Sequence, residues 1–205
     1  MIPQELLLTD FLPMPFQASE AEWLPLAKIK GFRHYPSVDE KGSWTGLLGY
    51  SAGQAPVLMS HGHFLDALRL FGTFDVDILP VLNSEGTLLG CLSLTDSARF
   101  LGHTSGIAQP GSWVVFQVSA RQFRLSEVTR WAESTGSKVL TAFTEVVPSE
   151  EPRVQVTFRV EAVDPADILE ALARYGALSL YSSPPSVQHQ ESHDNLEHLL
   201  RYMRF

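Results

Sequence analysis

Three kinds of side chain here have the types and spacings that chemistry needs. The first is histidine, of which there are seven. His61 and His63 flank a glycine in SHGHF. His189 and His193 stand four apart, with His198 five further on. Histidines four apart on a continuous helix share a face and can bind zinc. Pro184, Pro185 and Ser192 place the start of the C-terminal helix after His189, and no carboxylate or cysteine completes either set. Capping or surface histidines are therefore expected, with no metal. The second is Cys91, the single cysteine, inside the apolar run LLGCLSL, where a core thiol is expected rather than a nucleophile. The third is the charged pairs. Asp75 and Asp77 have only Val76 between them, a spacing that assigns no acid/base pair. Arg121 and Arg124 in the loop SARQFR can take a carboxylate, but solvated arginines are the expectation. The chain has no HExxH, no Gly-x-Gly-x-x-Gly and no P-loop lysine. With no catalytic set, the chain reads as a non-enzyme.

Composition narrows the classes further. The 205 residues carry 15 Lys and Arg against 23 Asp and Glu, a net charge of −8. A sequence-independent grip on nucleic acid needs a basic surplus to displace counterions, and a polybasic membrane surface needs the same. Neither half hides a basic domain. One cysteine excludes a disulfide framework within the chain and a multi-Cys zinc site, and it fits a reducing compartment. The start MIPQELLLTDF lacks a basic n-region, and no apolar run approaches ~18 residues. The cytoplasm is the expected location.

The elements that must position any site follow from punctuation and periodicity. GHTSGIAQPG (102–111) and SSPPSVQHQES (182–192) read as linkers. Before the first of them lies an internal repeat. FRHYPSVDEKGSWTGLLGYSA (32–52) matches VDILPVLNSEGTLLGCLSLTD (76–96) at an offset of 44 without a gap. Pro36 falls on Pro80, Gly42 on Gly86 and Gly46 on Gly90. Each copy reads as a helix (20–30, then 64–72), a strand (34–38, then 78–82), a turn closed by glycine, and a second strand (44–50, then 88–94). In copy two a last helix over 97–101 follows, with Thr95 and Asp96 before it and Asp96 able to serve as a plain N-cap.

After the linker the pattern is β-α-β-β-α-β. It has strands at 113–118, 138–147, 153–160 and 177–181. Its helices are at 125–134, with Ser126 as N-cap, and at 165–175, with Asp164 as N-cap and Pro165 in the first helical position. Two helices over one face of a four-stranded antiparallel sheet is the ferredoxin-like arrangement. Trp23, Trp44 and Trp113 fall at core or interface positions. The tail DNLEHLLRYMRF (194–205) sets Leu196, Leu199, Leu200 and Met203 on one helical stripe that calls for a docking surface.

The repeat resembles the cystathionine-β-synthase (CBS) motif, with ILPV at 78–81 and GCLSLTD at 90–96 as its best-kept features. The segment 112–183 resembles an ACT domain. A CBS pair followed by an ACT-like domain is similar to acetoin-utilisation-B-like proteins and to small CBS-domain proteins of Bacteroidetes-type bacteria, whose short Leu-Leu-x-Tyr-like ending LLRYMRF matches. The resemblance implies an α+β fold. A pseudo-twofold CBS pair spans 1–101, with copy one (1–55) degenerate and copy two 56–101. A linker at 102–111, an ACT-like ferredoxin domain at 112–183 and a linker with a docking helix at 184–205 complete it.

CBS pairs bind adenosine-containing ligands in clefts between motifs, so the resemblance implies a regulatory nucleotide (AMP, ADP or ATP) and no required cofactor. Asp96 would accept the ribose hydroxyls and Ser93 would donate to a phosphate or ribose oxygen. Phosphate would sit at the helix N-terminus. The backbone near Ile78 and Pro80 would read the adenine edge, with Ile78 and Leu92 as apolar walls. In copy one Gly49 stands where Ser93 does and Ala52 where Asp96 does, so that cleft has lost its polar contacts. The ACT-like loop has no glycine and implies an oligomerisation or docking element. A sensor of this kind, assembled as a homodimer, is the expected function. A ligand-free scaffold awaiting a protein partner and an acetoin-utilisation-type accessory are the alternatives.

Overall fold

The computed structural model describes residues 2–183 apart from 13, 122, 149 and 163. The expected C-terminal helix and His189, His193 and His198 lie outside these residues. The chain divides into two compact units, Met1–Gly102 and His103–Phe205, each described by itself.

In the first unit a 3-10 turn, Gln4–Leu6, precedes α1 (Glu20–Ile29), β1 (Tyr35–Val38), β2 (Trp44–Leu48), β3 (Leu58–Met59), α2 (Phe64–Phe74), β4 (Ile78–Leu82), β5 (Leu88–Ser93) and α3 (Leu94–Gly102). Ser19 and Glu22 close a capping box on α1. The hairpins β1–β2 and β4–β5 are built alike. Asp39 Oδ1 accepts from the amides of Lys41 and Ser43, and Asn83 Oδ1 accepts from those of Glu85 and Thr87. Gly42 and Gly86 close the turns at φ 79° and 82°, where a side chain would be strained. The irregularity between Ser37 and Val38 recurs between Val81 and Leu82. The turns also meet: the Trp44 amide donates to the Gly86 carbonyl and the Leu88 amide to the Gly42 carbonyl.

The copies differ after their second strands. Copy two continues into α3, whereas 50–57 of copy one holds no regular element. Among its described residues copy one also has no partner strand like β3. Pro15 stands 44 residues before Met59 and has no N–H to give a ladder. Instead the N-terminal segment packs along the hairpins. Leu8 exchanges two backbone hydrogen bonds with Cys91, at 2.9 and 2.8 Å, and the Met14 carbonyl accepts from the Val38 amide. A Cβ on Gly90 would stand 2.6 Å from the Leu8 carbonyl oxygen, and one on Gly46 would collide with the Phe16 ring. These aligned glycines, seen in the sequence only as a repeated feature, are spaces into which the segment before α1 fits. The core beneath joins Leu6, Leu47, Phe64, Phe71, Ile78, Leu79, Cys91 and Leu92. Phe64 of α2 meets Phe100 of α3 edge-on at 5.1 Å.

The second unit runs α4 (Ser105–Ala108), β6 (Ser112–Ser119), α5 (Leu125–Glu133), β7 (Val139–Val147), β8 (Arg153–Val160), α6 (Ala166–Arg174) and β9 (Leu178–Ser183). The sheet order is β7-β8-β6-β9, antiparallel throughout, the connectivity of a split β-α-β unit. Alternation in β8, RVQVTFRV, buries Val154, Val156, Phe158 and Val160. These pack with Val114, Phe116 and Val118 of β6 against Val128 and Ala132 of α5 and Ile168, Leu169 and Leu172 of α6. Both helices therefore cover one face.

Two caps differ from expectation. Arg124, not Ser126, occupies the N-cap of α5 and gives it no side-chain bond. At α6 Pro165 takes the cap position, and Asp164 Oδ1 accepts the Ala166 amide from one residue further out. Where composition suggested a bare linker, residues 105–108 form a helical turn. Gly106 lies against Thr141 and Gly111 against Val160, so close that neither has room for a Cβ.

Two substitutions test this packing by urea unfolding. Gly90→Ala pushes Leu8 off Cys91 and destabilises the protein by about 1–3 kcal/mol. Phe116→Ala opens the second core and costs about 3–5 kcal/mol.

Candidate functional site

Strand β5 passes into α3 without a loop, and the junction carries the candidate site. The first amides of a helix have no helical acceptor. Here the Leu94 amide donates to the Asp77 carbonyl at 2.9 Å. The Asp96 amide donates to Ser93 Oγ at 2.9 Å, and the Ser93 hydroxyl donates to Asp96 Oδ2 at 2.7 Å. Ser93 is thus the cap of α3, and Asp96 sits in its first turn, where a carboxylate also favours the helix dipole. This corrects the expectation of a helix beginning at Ser97 with Asp96 as cap. Arg99, one turn on, donates to Asp96 Oδ1. Ser93 is 2% exposed, while the Asp96 and Arg99 side chains are 38% and 62% exposed. Of the polar pair only Asp96 is open to solvent.

The register of β4 on β5 places the other expected residues. Ile78 pairs with Ser93, Leu79 with Leu92 and Pro80 with Cys91. Directly opposed residues share a face and neighbours along a strand do not. Ile78, Pro80 and Ser93 therefore come together on one face, while Leu92 lies with Leu79 on the other. Leu92 cannot form a wall with Ile78, because a period of two separates it from Ser93's face. Ile78 and Leu92 are both fully buried. Pro80 is tolerated in mid-strand because both backbone groups of Cys91 are engaged by Leu8. That leaves Pro80 opposite a position needing no ladder bond from it. β3 meets only Val81 and Leu82. Among the described residues no strand flanks the backbone of Ile78–Pro80 on that side.

A second polar cluster was not legible. His34 Nδ1 lies 2.6 Å from Asp77 Oδ1. A carboxylate only accepts, so Nδ1 carries the proton. Asp77 Oδ2 accepts the Arg33 amide, and the Arg33 guanidinium reaches the Asp75 carbonyl and carboxylate. His34 is 7% exposed and meets the Tyr50 ring. Burial raises the Asp77 pKa, but the hydrogen bonds from His34 and the Arg33 amide outweigh it and hold the carboxyl below its ordinary 3.8. The only sequence signal was the repeat itself, whose 44-residue offset sets Arg33 on Asp77. Asp75 and Asp77 thus serve as partners to the first copy, not as an acid/base pair.

The remaining candidates resolve simply. His63 caps α2, its Nδ1 accepting the Leu65 amide at 3.2 Å. Among the described residues no group of three or more His, Cys, Asp or Glu could hold a metal ion. Cys91 is fully buried, and burial pushes its thiol pKa up, away from nucleophile chemistry. Arg121 and Arg124 line an open hollow of about 380 Å³ with Glu127, Trp131 and Tyr175. The last two rings stack at 4.4 Å. No helix among the described residues is long and apolar enough to cross a membrane.

The Asp77 cluster makes a pH prediction. A carboxyl held below its ordinary value contributes stability that is complete above about pH 4 and is lost as pH falls through its folded value. Asp77→Asn therefore lowers stability by about 1–3 kcal/mol at neutral pH and flattens the acid limb. Urea midpoints from pH 7 to 2 check this, and parallel curves for the two proteins would refute it.

No family model matches the chain, and no curated protein matches it significantly. Solved structures similar to about half of it are CBS-domain pair proteins. A CBS domain pair/ACT domain protein from Thermotoga maritima shares 20% identity at a TM-score of 0.41, covering 47% of this chain and 93% of that chain. CBSX2, a CBS-pair protein from Arabidopsis thaliana, shares 17% identity at 0.40, covering 47% and 91%. A CBS domain protein from Shewanella oneidensis shares 14% at 0.37, covering 50% and 97%. At this degree of likeness the neighbours assign no residue of this chain a role.

Proposed function

We propose that the protein is a non-catalytic regulatory protein whose first unit takes an adenosine nucleotide (AMP, ADP or ATP) at the junction of β5 and α3. The observation that carries this reading is the half-open Asp96 carboxylate, held in place by the buried Ser93 hydroxyl at the start of a helix. Asp96 accepts the ribose hydroxyls, and each of its oxygens keeps lone-pair capacity beside its present partner. Ser93 positions Asp96. The unflanked backbone of Ile78–Pro80 is the edge available to adenine. The resemblance of ILPV and GCLSLTD to the CBS motif, and the hairpin construction recurring 44 residues apart, support the same reading. Binding shifts the protein between states only by the difference in its affinity for them. The second unit then serves as the ACT-like docking or homodimerisation element of a cytoplasmic protein.

A ligand-free scaffold is the second reading. It is favoured by the closed set Ser93–Asp96–Arg99 and by the absence of a regular element over 50–57. Thermal shift separates the two, using AMP, ADP, ATP, S-adenosylmethionine and NAD with and without magnesium. A ligand at about 100 times its dissociation constant adds about 2.7 kcal/mol to stability. The sensor reading expects such a shift with an adenine ligand and its loss in Asp96→Ala. No shift at millimolar ligand, or an undiminished shift in a folded Asp96→Ala protein, overturns the assigned site.

A further inference from the structure

At the end of the second unit where β6 finishes and β8 begins, a cavity of about 150 Å³ opens beside the sheet. Val118 of β6 and Val128 and Trp131 of α5 form its walls, with Phe123 from the loop between these elements and Tyr175 from the end of α6. Trp131 and Tyr175 stack at 4.4 Å and only 4° from parallel, so the two helix segments present a flat aromatic wall. Tyr175 is still 55% exposed. The Arg124 guanidinium donates to the Phe123 carbonyl at 2.8 Å, which fixes the loop beside its wall. Two polar residues share the lining: Ser119 and Arg153, opposite each other in the last rung of β6 and β8. Among the described residues no carboxylate lies within ion-pair distance of the Arg153 or Arg121 guanidinium. Trp131 and Tyr175 also line the open hollow of Arg121, Arg124 and Glu127, and Arg121 and Ser119 border another with Glu151. The cavity and the hollows beside it thus carry three arginines against two glutamates.

We propose that this cavity binds a small monocarboxylate whose body is a single flat ring, the class of benzoate. A mostly apolar concavity with a few converging polar groups is how small-molecule sites are built. An apolar space of about 150 Å³ holds one six-membered ring and little more. A nucleoside is too large for it. The stacked pair gives the ring an aromatic neighbour, and such ring contacts add to the area they bury. The carboxylate falls to Arg153, because a guanidinium without a protein carboxylate can take both oxygens through two parallel hydrogen bonds. The Ser119 hydroxyl, opposite Arg153 in the ladder, has a proton to donate to the same group. Neither half is enough alone. A guanidinium open to water holds a simple anion weakly, and a neutral ring gains only the burial of its own small area.

Titration of the full chain with benzoate, benzyl alcohol and acetate, followed by heat and by tryptophan fluorescence, tests both halves. The proposal expects saturable benzoate binding with a millimolar or lower dissociation constant. It expects binding at least tenfold weaker for benzyl alcohol, which has the ring without the charge, and for acetate, which has the charge without the ring. Arg153→Gln weakens benzoate at least tenfold and leaves benzyl alcohol as it was. Arg153→Lys, which keeps the charge and loses the fork, falls between. Circular dichroism checks that each variant is folded. Acetate binding as tightly as benzoate would reduce the arginines to a general anion patch, and benzyl alcohol binding as tightly would reduce the cavity to an apolar hole. Either overturns the proposal. No saturable binding at millimolar benzoate, or undiminished binding in folded Arg153→Gln protein, overturns it as well.

Discussion

The first unit depends on one backbone contact, the two hydrogen bonds between Leu8 and Cys91. They use both main-chain groups of Cys91, so β5 can offer Pro80 only a position that needs no bond from it. This lets a proline stand inside β4. They bring the Leu8 carbonyl so near residue 90 that only glycine fits. With β4 and β5 held in this register, Ile78 must face Ser93 and Leu92 must face away, because a one-residue slip would turn every side chain to the other face. The last residue of β5 then becomes the cap of α3. The Asp96 carboxylate is a consequence of a contact made by the eighth residue of the chain.

The second unit obeys a simpler rule. Alternation in β8, with Val114, Phe116 and Val118 of β6 beside it, gives the sheet one apolar face, and two amphipathic helices are enough to cover it. The same alternation leaves the other face with Trp113, Phe143 and Tyr181, more aromatic surface than a solvated face needs.

Local physics was legible in the sequence and non-local physics was not. The turn at Asp39–Gly42 and its copy at Asn83–Gly86 were readable because an Asx side chain and a left-handed glycine act within four residues. The strand at 153–160 was readable from period two. The start of α3 was not. Ser93 looks like the end of an apolar strand, and it caps a helix only because the strand enters that helix without a loop. The side of Leu92 follows from pairing, which the sequence of a single strand does not contain. His34 and Asp77 are 43 residues apart, and no spacing rule joins them. Gly46 and Gly90 were seen as a repeated feature, but their cause is the steric demand of Phe16 and Leu8, two residues outside the repeated segments.

The energies of the contacts around Asp96 decide how a ligand could reach it. Opening the Ser93 cap would forfeit about 1 kcal/mol and leave a hydroxyl that is 2% exposed without its partner, a further penalty for a buried group. Releasing Arg99 forfeits at most about 1 kcal/mol, since exposed ion pairs are worth little, and the guanidinium returns to water. A hydroxyl-bearing ligand at the proposed site would therefore share or take Oδ1, where Arg99 is loosely held, while Ser93 keeps Oδ2. The cap and the site are then not rival accounts of the same residues. The cap fixes where the carboxylate points, and the loosely held arginine is the part that would give way in the proposed site.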